Sequence, residues 1–332
     1  MDCNKVRFGI IGTSKITDEF LKGAKKVEGF VLNAIYSRKE ETAKEYAAKY
    51  NVENIFTDLE EMSKSNLIDA VYIASPNAFH YEQAKIFLCN KKHVFCEKSM
   101  ASNSKEVRDM IELAKQNNVL LMEGMKTTLM PNFKIVMDNL YKIGKVRRYF
   151  ASYCQYSSRY DKYKEGIILN AFKKELSNGA TMDIGVYCIY PMVSLFGAPK
   201  EVKANNFMLE SGVDGQGSAL FKYDDMDGSI IYSKIANSYL PSEIQGEEGT
   251  IIIENIHDMN KVTINYTNGN IEVISVNQIE ENMMYEVKEF IQLITNNTLE
   301  SKINTHENSL NTSKIMEQIR RQMGLVYPAD LE

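Results

Sequence analysis

Along the first part of the chain, short apolar runs alternate with stretches of helical periodicity. "VRFGII" (6–11), "FVLNAIYS" (30–37), "AVYIAS" (70–75), "HVFCE" (93–97) and "VLLMEG" (119–124) predict strands. "SKITDEFLKGAKKV" (14–27), "KEETAKEYAAKY" (39–50), "HYEQAKIFLCN" (80–90) and "SKEVRDMIELAKQNN" (104–118) predict helices between them. In the first of these, Ile16, Phe20, Leu21 and Ala24 recur at helical spacing. Apolar strands that alternate with helices predict a parallel α/β sheet.

The rhythm then changes. Between about 145 and 275 short alternating runs follow one another: "RRYFASYCQYS", "SALFKYDD", "GSIIYSKI", "GTIIIEN" and "KVTINYT", punctuated by Asp-Gly, Asn-Gly and Gly-Thr turns. That pattern predicts a large, mostly antiparallel open sheet. One helix near 180–196 interrupts it, and helices return in "MYEVKEFIQLITNN" and "ENSLNTSKIMEQIRRQMG". The predicted division is 1–124 and 125–332, with no internal repeat.

Composition narrows the function classes. Charged residues at 25% and apolar residues at 44% fit a globular domain pair. A net charge of −5 argues against a nucleic-acid surface, where a basic excess is expected. No apolar run approaches the roughly 20 residues of a membrane span, and the N-terminus lacks signal-peptide design, so a cytoplasmic protein is expected. Five scattered cysteines (Cys3, Cys89, Cys96, Cys154, Cys188) without a CxxC, and four histidines without ligand spacing, predict free thiols and no metal site. Cys96 beside Glu97 is read as a small buried strand residue, the alternative being a nucleophile.

"GIIGTSKIT" (9–17) lies between the first strand and the first helix, the context a glycine fingerprint requires. Gly9 and Gly12 permit a tight turn and close backbone approach to a pyrophosphate. Thr13, Ser14, Lys15 and Ile16 open the helix whose amides would hold the anion. At the end of the second strand, where NAD sites carry an acid, stand Ser37 and Arg38. A hydroxyl and a guanidinium suit a 2′-phosphate, so NADP is expected, with NAD possible. The alternative is an Arg38 that stacks on adenine without selecting the phosphate.

Taken in order with "SPNAFH" (75–80), "CEKSM" (96–100) and "GATMDIGVYCIYP" (179–191), the chain resembles the Gfo/Idh/MocA (glucose–fructose oxidoreductase / inositol dehydrogenase) family. "EIQGEEGTIIIEN" and the closing "MGLVYPAD" extend the resemblance over essentially the whole length, and "DIGVYC" looks most like the dihydrodiol and xylose dehydrogenase branch. The resemblance implies an N-terminal Rossmann domain (1–124), a doubly wound parallel sheet that binds NAD(P). It also implies a C-terminal α+β domain (125–332) that binds substrate and carries an open sheet for homodimer or homotetramer formation. Lys98 matches the lysine of the family's Glu-Lys-Pro motif, and Asp183 and Tyr187 its Asp-x-x-x-His/Tyr pair. Ser75, Pro76, Asn77 and His80 match the loop lining the nicotinamide side, with Glu97 beside Lys98. Ser99 replaces the family's proline, a departure that predicts a looser hold on Lys98. Lys126 and Thr128 stand where several relatives carry an aromatic residue and an arginine.

The chemistry these residues suggest is oxidation of a carbinol, which loses a hydride from carbon and a proton from oxygen. Tyr187, with an ordinary pKa of about 10, needs a nearby cation to act as the base, and Lys98 is the available one. Asp183, four residues before Tyr187, shares its helix face; by itself it also reads as an N-cap, and His80 equally as a packed residue at a helix start. Either Lys98 or Tyr187 exchanges the proton. Tyr156, Arg159 and Asn170, in the tyrosine-rich connection "QYSSRYDKYKEGIILNAF" (155–172), and Lys126 are candidate substrate contacts; a solvated surface loop is the alternative. The expected activity is an oxidoreductase acting on a sugar, cyclitol, diol or carbonyl. A non-catalytic dinucleotide-binding sensor that retains the fold is the rival. A methyltransferase would carry an acid at the second strand end.

Overall fold

The structure, a computed structural model, describes residues 5–331; Cys3 lies outside them. The described residues form two compact units. The first runs to Lys126 and includes Glu280–Ser309; the second comprises Thr127–Ile279 and the chain from Leu310. Residues 280–309, expected from their place in the chain to belong to the second domain, are therefore part of the first.

In the first unit six parallel strands, β1 (Val6–Ile11), β2 (Phe30–Tyr36), β3 (Asn54–Phe56), β4 (Ala70–Ile73), β5 (His93–Glu97) and β6 (Leu121–Gly124), pair in the order β3-β2-β1-β4-β5-β6. The order reverses between β1 and β4, where such sheets open a crevice at their carboxyl ends. An aromatic core lies beneath. Phe20 stacks on Tyr72 at 3.6 Å, and Phe95 stacks on Phe290 at 5.0 Å. Phe290, from helix Met284–Thr295, also meets Phe8. Burying such a ring stabilises by about 2–3 kcal/mol, which is what draws the distant segment onto this unit.

The second unit holds β7 (Val146–Cys154), β8 (Glu201–Met208), β9 (Asp214–Lys222), β10 (Asp227–Ser233), β11 (Ser242–Gly246), β12 (Gly249–Ile253), β13 (Val262–Tyr266) and β14 (Ile271–Val273). They pair as β14-β13-β12-β11-β7-β10-β9-β8, all antiparallel except β7 with β10. One face is apolar (Tyr149, Ile230, Tyr232, Ile244, Ile251) and buried, and helix Val186–Phe196 packs there, with Tyr149 Oη donating to Cys188 O at 2.9 Å. The other face leaves Phe207 and Leu220 exposed. Against the expectation drawn from apolar run lengths, Lys174–Phe196 is long and apolar enough to cross a membrane by length and composition. Most of it is buried within this unit, as the core helix of a folded domain is.

Candidate active site

A cleft of about 330 Å³ opens at the carboxyl ends of β1, β2 and β4. Ile11, Gly12, Thr13, Ser14, Tyr36, Ser37, Arg38, Ala74, Ser75, Pro76, Phe79 and Gln83 line it. Gly12 is obligatory: its φ is +104° and a Cβ would stand 2.5 Å from Ala74 O. Ser14 occupies the N-cap of helix Lys15–Ala24 without a side-chain bond to the first turn, so the first-turn amides face the turn uncapped. The first-turn acid, Asp18, is held by Lys49, Tyr46 and Tyr50. These bonds outweigh its partial burial and bring its pKa down to about 2. The cleft thus offers a dinucleotide an open crevice, uncapped first-turn amides and the Arg38 guanidinium at its rim.

Several predicted cofactor residues do not line this cleft. Gly9 sits inside β1, where a Cβ would strike Met62 Cε at 2.2 Å; its glycine serves helix-to-sheet packing, not a phosphate turn. Lys15 and Ile16 are exposed on the first helical turn, outside the cleft lining. Asn77 is buried in the turn that follows Pro76. His80 is fully buried, with Nδ1 3.0 Å from Ser99 O and Nε2 2.8 Å from Ser75 O. Burial pushes its imidazole below the ordinary pKa, against the pull of these carbonyls. The ring thus bridges the cleft loop to the loop that bears Lys98.

That second loop is firmly held. Lys98, half-buried at the end of β5, is joined to Ser99 by a cis peptide bond. Ser99 O meets His80, Met100 N donates to Glu123 Oε1 at 3.0 Å, and Ser102 N donates to Glu106 Oε2 at 2.8 Å. The looser hold expected from Ser99 is not found, because these bonds fix the backbone without proline. Glu97 is buried in the core, accepting from Tyr72 Oη at 2.6 Å, and does not reach the cleft lining. Glu286 is completely buried with neither carboxyl oxygen hydrogen-bonded. Burial and the neighbouring Glu97 raise its pKa well above the carboxylate range; burial also raises that of Glu97, against the bond from Tyr72. Cys96 beside them is fully buried, and burial pushes its thiol well up, which excludes the nucleophile alternative. Cys89, Cys96, Cys154 and Cys188 are free thiols.

In the second unit Asp183 and Tyr187 are the two positions between Ala180 and Val193 that are not buried. Thr181–Gly185 is a π-helical turn leading into Val186–Phe196, a feature common at functional sites. Asp214, fully buried, accepts from Thr181 N and Oγ1, both at 2.7 Å, and so anchors the start of the turn. Gly179 (φ +141°) makes room for it: a Cβ there would fall 2.1 Å from Asp214 Oδ1. Asp183 Oδ2 lies 2.5 Å from Lys234 Nζ. The Tyr187 ring stands edge-on to Tyr153 at 5.6 Å, and Tyr153 stacks on His257 at 4.3 Å. Gly185 faces the Tyr232 ring at ordinary contact distance, so side chain and not backbone is its neighbour.

The candidate substrate residues are dispersed. Tyr156 Oη donates to Asp161 at 2.7 Å within its own connection, and Arg159 and Asn170 are exposed. Lys126 donates to Asn282 Oδ1 at 3.2 Å in the first unit. Sequence reasoning missed Tyr36, Phe79 and Gln83 in the cleft, and Lys234, Tyr153 and His257 beside Asp183 and Tyr187. Lys234 had a signal: it continues the inward register of Gly228, Ile230 and Tyr232.

Residues 6–125 match the oxidoreductase family with an NAD-binding Rossmann fold, and residues 141–252 match the GFO/IDH/MocA C-terminal domain. The chain is 57% identical over 325 residues to the NADP(+)-dependent scyllo-inositol 2-dehydrogenase of Bacillus subtilis, covering 98% of this chain and 99% of that one. It is 28% identical to a trans-1,2-dihydrobenzene-1,2-diol dehydrogenase of Danio rerio, over 98% and 99% of the two chains. Among solved structures it is similar to a 3-ketoreductase from Actinomadura kijaniata in complex with NADP and TDP-benzene. There the TM-score is 0.84 at 21% identity, over 96% and 98% of the chains, a likeness of fold.

Proposed function

The chain belongs to the GFO/IDH/MocA oxidoreductase family, and from that premise we propose that it is an NADP-dependent dehydrogenase of an inositol-like polyol. The observation that carries the cofactor half is the cleft in which Ser37 and Arg38 stand at the end of β2, where an acid would select NAD. The substrate class rests on the similarity to the scyllo-inositol dehydrogenase.

In this reading the Gly12 turn and the first-turn amides of helix Lys15–Ala24 hold the pyrophosphate, and Arg38 and Ser37 hold the 2′-phosphate. The bound nicotinamide supplies the hydride acceptor or donor. Lys98 and Tyr187 are read as the groups that bind the reacting hydroxyl and exchange its proton. Asp183, in contact with Lys234, accepts a hydrogen bond from a substrate hydroxyl. Exposed Phe207 and Leu220 on the outer face of the second sheet support assembly into a homodimer or homotetramer. Free thiols accord with a cytoplasmic setting.

The test is nicotinamide reduction by the purified protein with NADP⁺ and a panel of scyllo-inositol, other inositols, aldoses and vicinal diols. Turnover on a cyclitol, lost in Lys98→Met and Tyr187→Phe while NADPH still binds, is expected. Tight NADPH binding without turnover on any member would favour the sensor.

A further inference from the structure

Inward-facing positions of β10 run Gly228, Ile230, Tyr232, all buried, and the next in register is Lys234. An ammonium at a core position is costly unless it is paired. Lys234 is 2% exposed, and its Nζ lies 2.5 Å from Asp183 Oδ2, 3.3 Å from Ala171 O and 5.0 Å over the ring of Phe172. The pair is lopsided: the Asp183 side chain is 37% exposed while its cation is sealed away. The acid therefore presents an open side next to Tyr187, and the lysine can reach neither solvent nor a ligand.

We propose that Lys234 is a positioning residue of the active site, holding the Asp183 carboxylate aimed while it ties that carboxylate to the end of the 155–172 connection. Three segments meet at one ammonium: the end of β10, the Asn170–Phe172 turn and the π-helical turn that carries Asp183. The turn at Ala171 and Phe172 is itself packed on Leu209 and Val213, with Tyr160, Tyr163 and Ile235 against them. Asp183 is thus referenced to a packed cluster through a charge that has no other exit. A second acid, Asp214, feels the same charge, but its carboxylate is already engaged by Thr181, which leaves Asp183 as the partner in direct contact. The inference rests on the proposed dehydrogenase reading, since it gives Asp183 its task.

The experiment compares the wild type with Lys234→Met, Lys234→Arg, Asp183→Asn and the double variant Asp183→Asn/Lys234→Met. Each is assayed for kcat and KM on the best polyol of the panel, for NADPH Kd, and for thermal melting. Lys234→Met is expected to lose about 100-fold in kcat/KM, mostly in kcat, with NADPH Kd unchanged. Lys234→Arg, which keeps the charge, restores most of that loss. The double variant, which leaves no lone buried charge and so folds even if Lys234→Met does not, matches Asp183→Asn alone within about 3-fold. An unaltered kcat in Lys234→Met overturns the proposal. So does a further loss of about 10-fold or more in the double variant relative to Asp183→Asn, because Lys234 would then act by another route. A wild type without turnover overturns the dehydrogenase reading and this inference together, whereas a working wild type with an indifferent Lys234 overturns this inference alone.

Discussion

Arg38→Ala separates the cofactor reading from a generic nucleotide cleft. Arg38 is exposed at the rim of the cleft, so its removal leaves no cavity and changes folding stability by no more than about 0.5 kcal/mol. What it removes is a guanidinium beside the Ser37 hydroxyl, with no acid there to take over. A charge-assisted hydrogen bond contributes about 1.5–3 kcal/mol, or roughly 10- to 150-fold in affinity. Because the side chain is solvent-exposed and salt screens it within about 8–10 Å, the lower end applies. NADPH is therefore expected to bind about 10-fold more weakly and NADH within about 2-fold of wild type. Binding is titrated through the reduced nicotinamide's own fluorescence. Isothermal titration at two salt concentrations provides the second reading, and the NADPH difference shrinks at high salt. Equal losses for NADPH and NADH, or no loss for either, would refute the 2′-phosphate role and leave Arg38 as an adenine-stacking residue.

Three further substitutions probe other parts of the account. His80→Ala strips the ring from between Ser75 O and Ser99 O and leaves a buried void, at a cost of about 3–5 kcal/mol in urea unfolding. Its kcat falls further than its NADPH affinity, since Lys98 loses its support; wild-type stability would contradict the bridge. Glu286→Gln keeps the shape of an unpartnered buried acid without its proton equilibrium. A carboxyl with a raised folded pKa contributes stability that is complete below the ordinary carboxylate value near 4.5 and is lost as pH rises toward the folded value. The glutamine variant is accordingly more stable than wild type at pH 8, and the gain shrinks as pH falls to about 5; a pH-independent difference in denaturant midpoints would sink this assignment. Gly12→Ala drives a Cβ to 2.5 Å from Ala74 O at a φ of +104°, and NADPH binding is expected to vanish in titrations that leave Asp18→Asn binding intact.

The strand–helix alternation of the first 124 residues was readable because continuous apolar strands between helices have few other folded outcomes. Asp183 and Tyr187 were readable through their spacing, yet the π-helical turn beneath them was not: a buried apolar run has the same appearance in α and π geometry. Gly9 was misread for a physical reason. Its constraint comes from Met62, a side chain more than fifty positions away, and sequence proximity to Gly12 suggested a shared task. Residues 280–309 were assigned by chain order, whereas the aromatic contacts of Phe290 with Phe95 and Phe8 decide where the helix packs. Ser99 looked like a weakness because proline rigidity is visible in sequence and the contacts of this loop with His80 and Glu123 are not.

Transfer of deuterium from carbon-deuterated scyllo-inositol to NADP⁺ tests the central claim most directly, because it follows the hydride itself. Deuterated NADPH is expected with the wild type and none with Lys98→Met or Tyr187→Phe, although both still bind NADPH. Bound NADP⁺ and polyol with no deuterium in the nicotinamide, or undiminished transfer in Lys98→Met, would contradict it.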